Sequence, residues 1–206
     1  MPISPEEAKT IEFYNQNAYE WSKEHGTPEF WEQEFETFNK LLPFGSVIEI
    51  GSGGGRDAYS LNSLHKYFGT DISSGLLQEA KFNNPNLPFS QHSLYEMGFS
   101  DNTFDGFWAS AVLLHIPKQN IGNALGEIYR VNKDSARGFI ALKEGIGEEI
   151  LADGRHFSYY TQSEFSVVLS ENNFSIIDSY PVSKGGTTIW LVYFVEVVKT
   201  KPFQTP

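Results

Sequence analysis

A glycine-rich turn after a short apolar strand is the strongest chemical signal in the chain. The segment reads Val47-Ile48-Glu49-Ile50-Gly51-Ser52-Gly53-Gly54-Gly55-Arg56-Asp57. Glycine lets a backbone approach a ligand closely, and the start of a following helix offers free N–H groups. A dinucleotide fingerprint, G-x-G-x-x-G counted from Gly51, needs its third glycine where Arg56 stands. The pattern present is E-x-G-x-G-x-G, with Glu49 leading. A carboxylate there suits a ligand that carries positive charge and suits a pyrophosphate poorly. Asp71 follows in Gly69-Thr70-Asp71-Ile72-Ser73, twenty residues after Gly51. A carboxylate at the end of the second strand accepts the two hydroxyls of a ribose. Together these residues point to an adenosine-type ligand.

A second set of groups could move a proton. His115 lies in Leu113-Leu114-His115-Ile116-Pro117, and Lys143-Glu144-Gly145 closes a later strand. Arg155, His156, Tyr159 and Tyr160 crowd one loop. His115, Lys143, Glu144 and Tyr160 are the candidates for handling an acceptor's proton. The chain has no cysteine, which excludes disulfides, thiolate nucleophiles and Cys-ligated metals. The histidines and carboxylates show no metal-ligand spacing, so no metal is expected.

These groups need a scaffold. The capping box Ser4-Pro5-Glu6-Glu7 opens a helix whose apolar residues Ala8, Ile11, Tyr14, Ala18 and Trp21 keep helical spacing up to Gly26. Thr27-Pro28 opens a second, with Phe30, Trp31, Phe35, Phe38, Leu41 and Leu42 on its stripe and Pro43 as its stop. Strands are then expected at 46–50, 67–70, 88–91, 104–109 and 138–142, alternating with helices at 56–64, 74–82 and 118–131. That alternation predicts an α/β fold, a mostly parallel, doubly wound sheet. A capping box at Thr161 starts a last helix. The β-rich runs 174–182 and 188–198 are joined by too short a turn to hold a crossover helix, so they must be antiparallel. The expected organisation is a single domain: a helical lid at 1–43, an α/β core at 44–198 and a tail at 199–206.

Composition narrows the partners. The 206 residues are 40% hydrophobic and 20% charged, which is ordinary for a globular domain. Net charge is −11, and no Lys/Arg cluster offers phosphates a basic face, so nucleic acid is not an expected partner. The first forty residues hold nine Glu and three Lys, and so contribute −6 of that charge. No apolar run spans a bilayer and the N-terminus lacks the features of a signal peptide, so a membrane partner is not expected and the cytoplasm is the expected location.

In this order and spacing, Glu49–Gly55, Asp71, the run Phe99-Ser100-Asp101-Asn102-Thr103-Phe104-Asp105 and Leu113–Pro117 resemble class I S-adenosylmethionine-dependent methyltransferases, over residues 10–198. The resemblance implies a Rossmann-like, seven-stranded sheet with its last strand antiparallel and a small-molecule methyl acceptor. It implies that Glu49 and Gly51 hold the methionine portion with Gly53 and Gly55 beside it, that Ser52 and Arg56 also bind the cofactor, and that Ala109 offers its carbonyl to the amino group. It also implies that Asp71 binds the ribose and Ile72 packs on adenine. Tyr14 would belong to a helix over the cofactor. Where the family commonly has an acidic residue for the adenine amino group, this chain has Ser93, so backbone at Ser93 and Leu94 would serve instead. A monomer or homodimer is expected. Two other readings stay open at this point: an NAD(P)-binding oxidoreductase, and a non-catalytic regulatory protein that binds S-adenosylmethionine.

Overall fold

The computed structural model describes residues 1–199. The last eight positions, expected as a tail, lie outside the described residues except Lys199. The core is a seven-stranded sheet. Its strands are β1 (Ser46–Ile50), β2 (Lys66–Asp71), β3 (Phe89–Gln91), β4 (Phe104–Ser110), β5 (Asn132–Lys143), β8 (Phe174–Ser183) and β9 (Ile189–Val197). Between β5 and β8 a separate hairpin pairs β6 (Glu148–Ile150) with β7 (His156–Ser158). The helices are α1 (Pro5–Gln16), α2 (Ala18–Glu24), α3 (Glu32–Leu41), α4 (Ala58–Asn62), α5 (Ser74–Asn83), α6 (Ile121–Val131) and α7 (Gln162–Glu171).

Strand order is β3-β2-β1-β4-β5-β9-β8. The chain runs outward from β1 through β2 to β3, then returns to β1's other side for β4. This reversal is the topological switch point, where the carboxyl ends of β1 and β4 diverge and leave a crevice. β9 is antiparallel to both neighbours and lies between β5 and β8. The reversed strand is thus last in the chain but second from the sheet's edge.

Buried aromatic and aliphatic side chains fill both faces. On one, Trp31, Phe38, Trp108 and Phe139 are fully buried among α3, α4 and α5; Trp108 stacks on Phe139 with centroids 3.7 Å apart. On the other, α6 and α7 bury Leu125, Ile128, Phe165 and Leu169. Of the aromatics expected as core or pocket wall, Trp31 and Phe35 are buried, and Phe30 and Trp190 are partly buried beside them.

Three differences from the sequence expectation have local causes. The first helix is two, because Asn17 turns both its backbone N–H and its side-chain amide onto Phe13 O, a side-chain competition that ends the ladder. The helix after the glycine turn is confined to Ala58–Asn62, since Gly51, Gly53 and Gly55 take left-handed φ and hold a loop. The segment 153–160, expected as a loop, contributes β7 to the β6–β7 hairpin, whose three-residue strands leave no periodic pattern to read.

The helices α1 and α2 cap the crevice. Asn15 Oδ1 accepts from Ser73 Oγ at 2.8 Å and from the Gly75 N–H at 3.1 Å, so α1 sits on the first turn of α5. Tyr95 Oη donates to the buried Glu7 at 2.6 Å. Ser22 of α2 lies where a side chain on Gly54 would stand, so the second lid helix rests directly on the glycine turn.

Candidate active site

One cavity of about 1110 Å³ opens between the lid and the carboxyl ends of β1, β2, β4 and β5. Ligand pockets for one small molecule span roughly 300–1,000 Å³, so this volume suits a nucleoside cofactor with a second molecule beside it. The glycine turn, Asp71, Ile72, Ser93 and Leu94 line it, with Tyr14, His115, Lys143 and Arg155.

The end under the glycine turn is acidic. Asp71 uses one carboxylate oxygen for the Gly53 N–H (2.9 Å) and the other for the Ser73 N–H (2.8 Å). Each oxygen keeps a lone pair, so the carboxylate is braced and still able to accept from a diol. Gly51 must be glycine: its φ is +69°, and a Cβ would meet Val112 at 2.5 Å. Glu49 accepts from Tyr67 Oη and is buried. Burial, and then the nearby Asp57, push the Glu49 carboxyl well above the usual carboxylate range. The Arg56 guanidinium is committed to Asp57 (2.6 and 2.8 Å) and also reaches Ser110 Oγ at 3.2 Å. Of the three carboxyl groups at this end, Glu49, Asp57 and Asp71, only Asp57 is paired with the guanidinium. Ser52 Oγ is buried at the cavity wall with no hydrogen-bond partner among the described residues. A cationic ligand with polar substituents fits both features.

A proton-linkage prediction follows from Glu49. Its pKa is raised in the free protein, and a cation beside it favours the anion. Binding of S-adenosylmethionine is therefore expected to release a proton and to tighten as pH rises through Glu49's raised pKa. Calorimetry in buffers of different protonation enthalpy measures that proton. No proton release, or an unchanged pH dependence in Glu49→Gln, would contradict the assignment.

The other end of the cavity is aromatic and basic. Tyr14 Oη and His115 Nε2 are 2.8 Å apart, and His115 Nδ1 lies 2.8 Å from the carbonyl of His156. A carbonyl only accepts, so Nδ1 carries the proton and Nε2 accepts from Tyr14. Burial drops the His115 pKa to about 3, with Arg155 and Lys143 adding to the effect, so the ring is neutral. Burial raises the Tyr14 pKa to about 12. The His156 N–H donates to Thr10 Oγ1 at 2.9 Å, tying the hairpin to α1. The guanidinium of Arg155 lies 4.4 Å from the Phe13 ring centroid and 4.9 Å from that of Trp21, and pairs with Asp153 at 2.7 Å.

The structure brings Tyr14, His115, Lys143, Arg155 and Phe157 to one wall, and corrects three assignments. Tyr160 is 1% exposed, packs on Phe165 and is absent from the cavity wall. Glu144 is exposed outside the cavity, because strand alternation sends it away from the side that Lys143 takes. Ala109 is fully buried inside β4, which continues to Ser110; Ser110, Ala111 and Val112 reach the cavity instead. Ala111 holds φ +56°, a conformation costly for a residue with a Cβ and found where chains are shaped for function. Sequence reasoning missed Thr10, Asn15 and the Phe13–Trp21 cage around Arg155. Only the aromatic density of the first helix hinted at the cage.

Comparison with known proteins agrees with this geometry. Residues 47–135 match the family model described as a methyltransferase domain. The chain is 24% identical over 180 residues to demethylmenaquinone methyltransferase of Streptomyces avermitilis, covering 87% of this chain and 71% of that protein. It is 27% identical over 194 residues to the ubiquinone/menaquinone biosynthesis C-methyltransferase UbiE of Rickettsia felis, with the same two coverages of 87% and 71%. Its fold is similar to the crystal structure of Burkholderia thailandensis 1,6-didemethyltoxoflavin-N1-methyltransferase with bound 1,6-didemethyltoxoflavin and S-adenosylhomocysteine. That match has a TM-score of 0.81 and 18% identity, over 97% of this chain and 93% of the other.

Proposed function

Because this chain is a class I S-adenosylmethionine-dependent methyltransferase, we propose that its acceptor is a small, flat, conjugated ring compound bearing an ionisable hydroxyl or ring nitrogen. The observation that carries this reading is the second half of the cavity. Tyr14, Trp21 and Phe157 surround Arg155 there, and Trp190 pairs with Lys143 across the strands; such side chains bind flat rings with little ordering cost. The lid leaves room for a metabolite rather than a folded polymer, and its −6 charge repels polyanions. The named relatives act on ring compounds, which supports the same class. Among the described residues no helix is long and apolar enough to cross a membrane; action in the cytoplasm, as monomer or homodimer and without nucleic acid, belongs to this proposal.

The cofactor supplies an activated methyl group on a sulfonium. In this reading Glu49 and the 51–55 turn hold its amino-acid portion, Asp71 the ribose, and Ile72 with Ser93 and Leu94 the adenine. The protein's own task is positioning, desolvation and proton removal. Tyr14 Oη takes the acceptor's proton as it passes its own to His115 Nε2, leaving an imidazolium whose Nδ1–H is anchored on the His156 carbonyl. The Arg155 guanidinium, 5.9 Å from the Tyr14 ring centroid, favours the charge that passes through the phenol oxygen.

Incubation with S-adenosylmethionine carrying an isotopically labelled methyl, against a library of quinols, phenols and hydroxylated N-heterocycles, tests this. Mass spectrometry is expected to find one labelled methyl on a ring compound. Bound S-adenosylhomocysteine with no labelled ring product from any library member would overturn the acceptor class.

A further inference from the structure

Lys143 stands at the carboxyl end of β5 and lines the acceptor end of the cavity. Its ammonium lies 4.4 Å from the centroid of the Phe157 ring. Among the described residues it makes no hydrogen bond and no ion pair. The nearby carboxylates are engaged elsewhere. Asp153 holds Arg155, Glu164 holds the Lys118 ammonium at 2.7 Å, Glu148 accepts from the Lys118 N–H at 2.8 Å, and Glu149 accepts from Tyr159 Oη. Glu144 points to solvent. Arg155 is balanced by Asp153 and immobilised among four rings, those of Phe13, Tyr14, Trp21 and Phe157. His115 is neutral. The acceptor end therefore carries one uncompensated positive charge, on a half-buried ammonium beside an aromatic wall. The opposite end carries an excess of carboxylate. The cavity is bipolar along the line between cofactor and acceptor.

A half-buried cation without a partner is costly, and burial and the repulsion of Arg155 both lower the Lys143 pKa with no carboxylate to offset them. An anion arriving there relieves both effects. It also relieves His115, whose affinity for a proton is depressed in part by the same Lys143 charge. We propose that Lys143 anchors an oxyanion, a carboxylate or an equally acidic enol, carried by the acceptor on a substituent distinct from the methylated atom. The acceptor is then anionic when it binds, and its arrival makes His115 a better proton sink. This inference rests on the reading that the aromatic end holds the acceptor.

The test uses the full chain saturated with S-adenosylhomocysteine at pH 7.5. Calorimetry compares 3,4-dihydroxybenzoate with 3,4-dihydroxybenzamide, which share shape and differ in charge. The carboxylate is expected to bind at least about tenfold more tightly than the amide, as a charge-assisted hydrogen bond implies. Lys143→Met keeps the stem on Phe157 and should abolish that preference, while Lys143→Arg should retain it. S-adenosylhomocysteine affinity should be equal in all three proteins, which also shows that each is folded. Equal binding of acid and amide, absence of binding by both, or a preference that survives Lys143→Met would overturn the anion anchor. The ring-acceptor reading is judged separately: labelled transfer to a neutral ring compound at a rate unaffected by Lys143→Met would keep that reading and remove this one.

Discussion

Replacing His115 with alanine is expected to lower kcat for methyl transfer by about a hundredfold, with KM and S-adenosylhomocysteine affinity changed by less than about threefold. General-base assistance contributes roughly 10²–10⁴ in rate. The lower end applies because His115 works through Tyr14 rather than on the acceptor. Its removal leaves the phenol without the Nε2 acceptor 2.8 Å away, so the acceptor's proton has no onward path. Tyr14→Phe should lose a comparable factor. The double variant should be little worse than either single one, because two links of one relay fail together. A purely structural role would give additive losses, or losses in KM and cofactor affinity. The pH profile separates the roles further: with Tyr14 intact and His115 gone, the remaining activity should rise with pH, as the acceptor must then ionise unaided. Additive losses, or an unaltered pH profile in His115→Ala, would refute the relay.

Asp71→Ala should weaken S-adenosylhomocysteine binding by roughly 10–100-fold, with the sheet still folded. Hydrogen bonds to a charged carboxylate are worth about 1.5–3 kcal/mol each. A ribose diol makes two, and some of that loss is recovered by water. The variant also frees the Gly53 and Ser73 N–H groups that Asp71 holds at 2.9 and 2.8 Å, so the glycine turn loses its brace. Asp71→Asn separates the effects. Its amide oxygen can accept from one N–H and from a hydroxyl, so it should fall between wild type and alanine. Calorimetry gives the affinities, and circular dichroism the integrity of the fold. Wild-type affinity in Asp71→Ala would dismiss the ribose assignment.

The cofactor half of the site was legible in the sequence because its parts are local. A strand, a glycine turn and an acid twenty residues later lie on adjacent parallel strands, so spacing alone sets them side by side. The acceptor half was legible only in part: His115 and Lys143, singled out as candidates, line the cavity, while Glu144 and Tyr160 do not. Tyr14, His115, Lys143 and Arg155 come from four separate elements, and only the three-dimensional fold shows that they share a wall. Errors there came from parity and from strand length. Glu144 follows Lys143, which faces the cavity, and one step along an extended chain reverses the side; Tyr160 is buried against Phe165 instead. Ala109 misses the cavity because β4 runs one residue further than its apolar pattern. The reversed strand was legible as an antiparallel partner. Its place between β5 and β8 was not, since sequence fixes pairing direction more readily than order across a sheet.

Tyr14 and Asn15 are consecutive residues on α1. Tyr14 joins the acceptor wall through His115, and Asn15 grips the first turn of α5, two residues past Asp71. One helix therefore spans both compartments, and it cannot lift from one without releasing the other. Entry and exit are governed by a shared door rather than by two independent ones. The methylated product and the spent nucleoside then leave through the same opening, whichever acceptor is used.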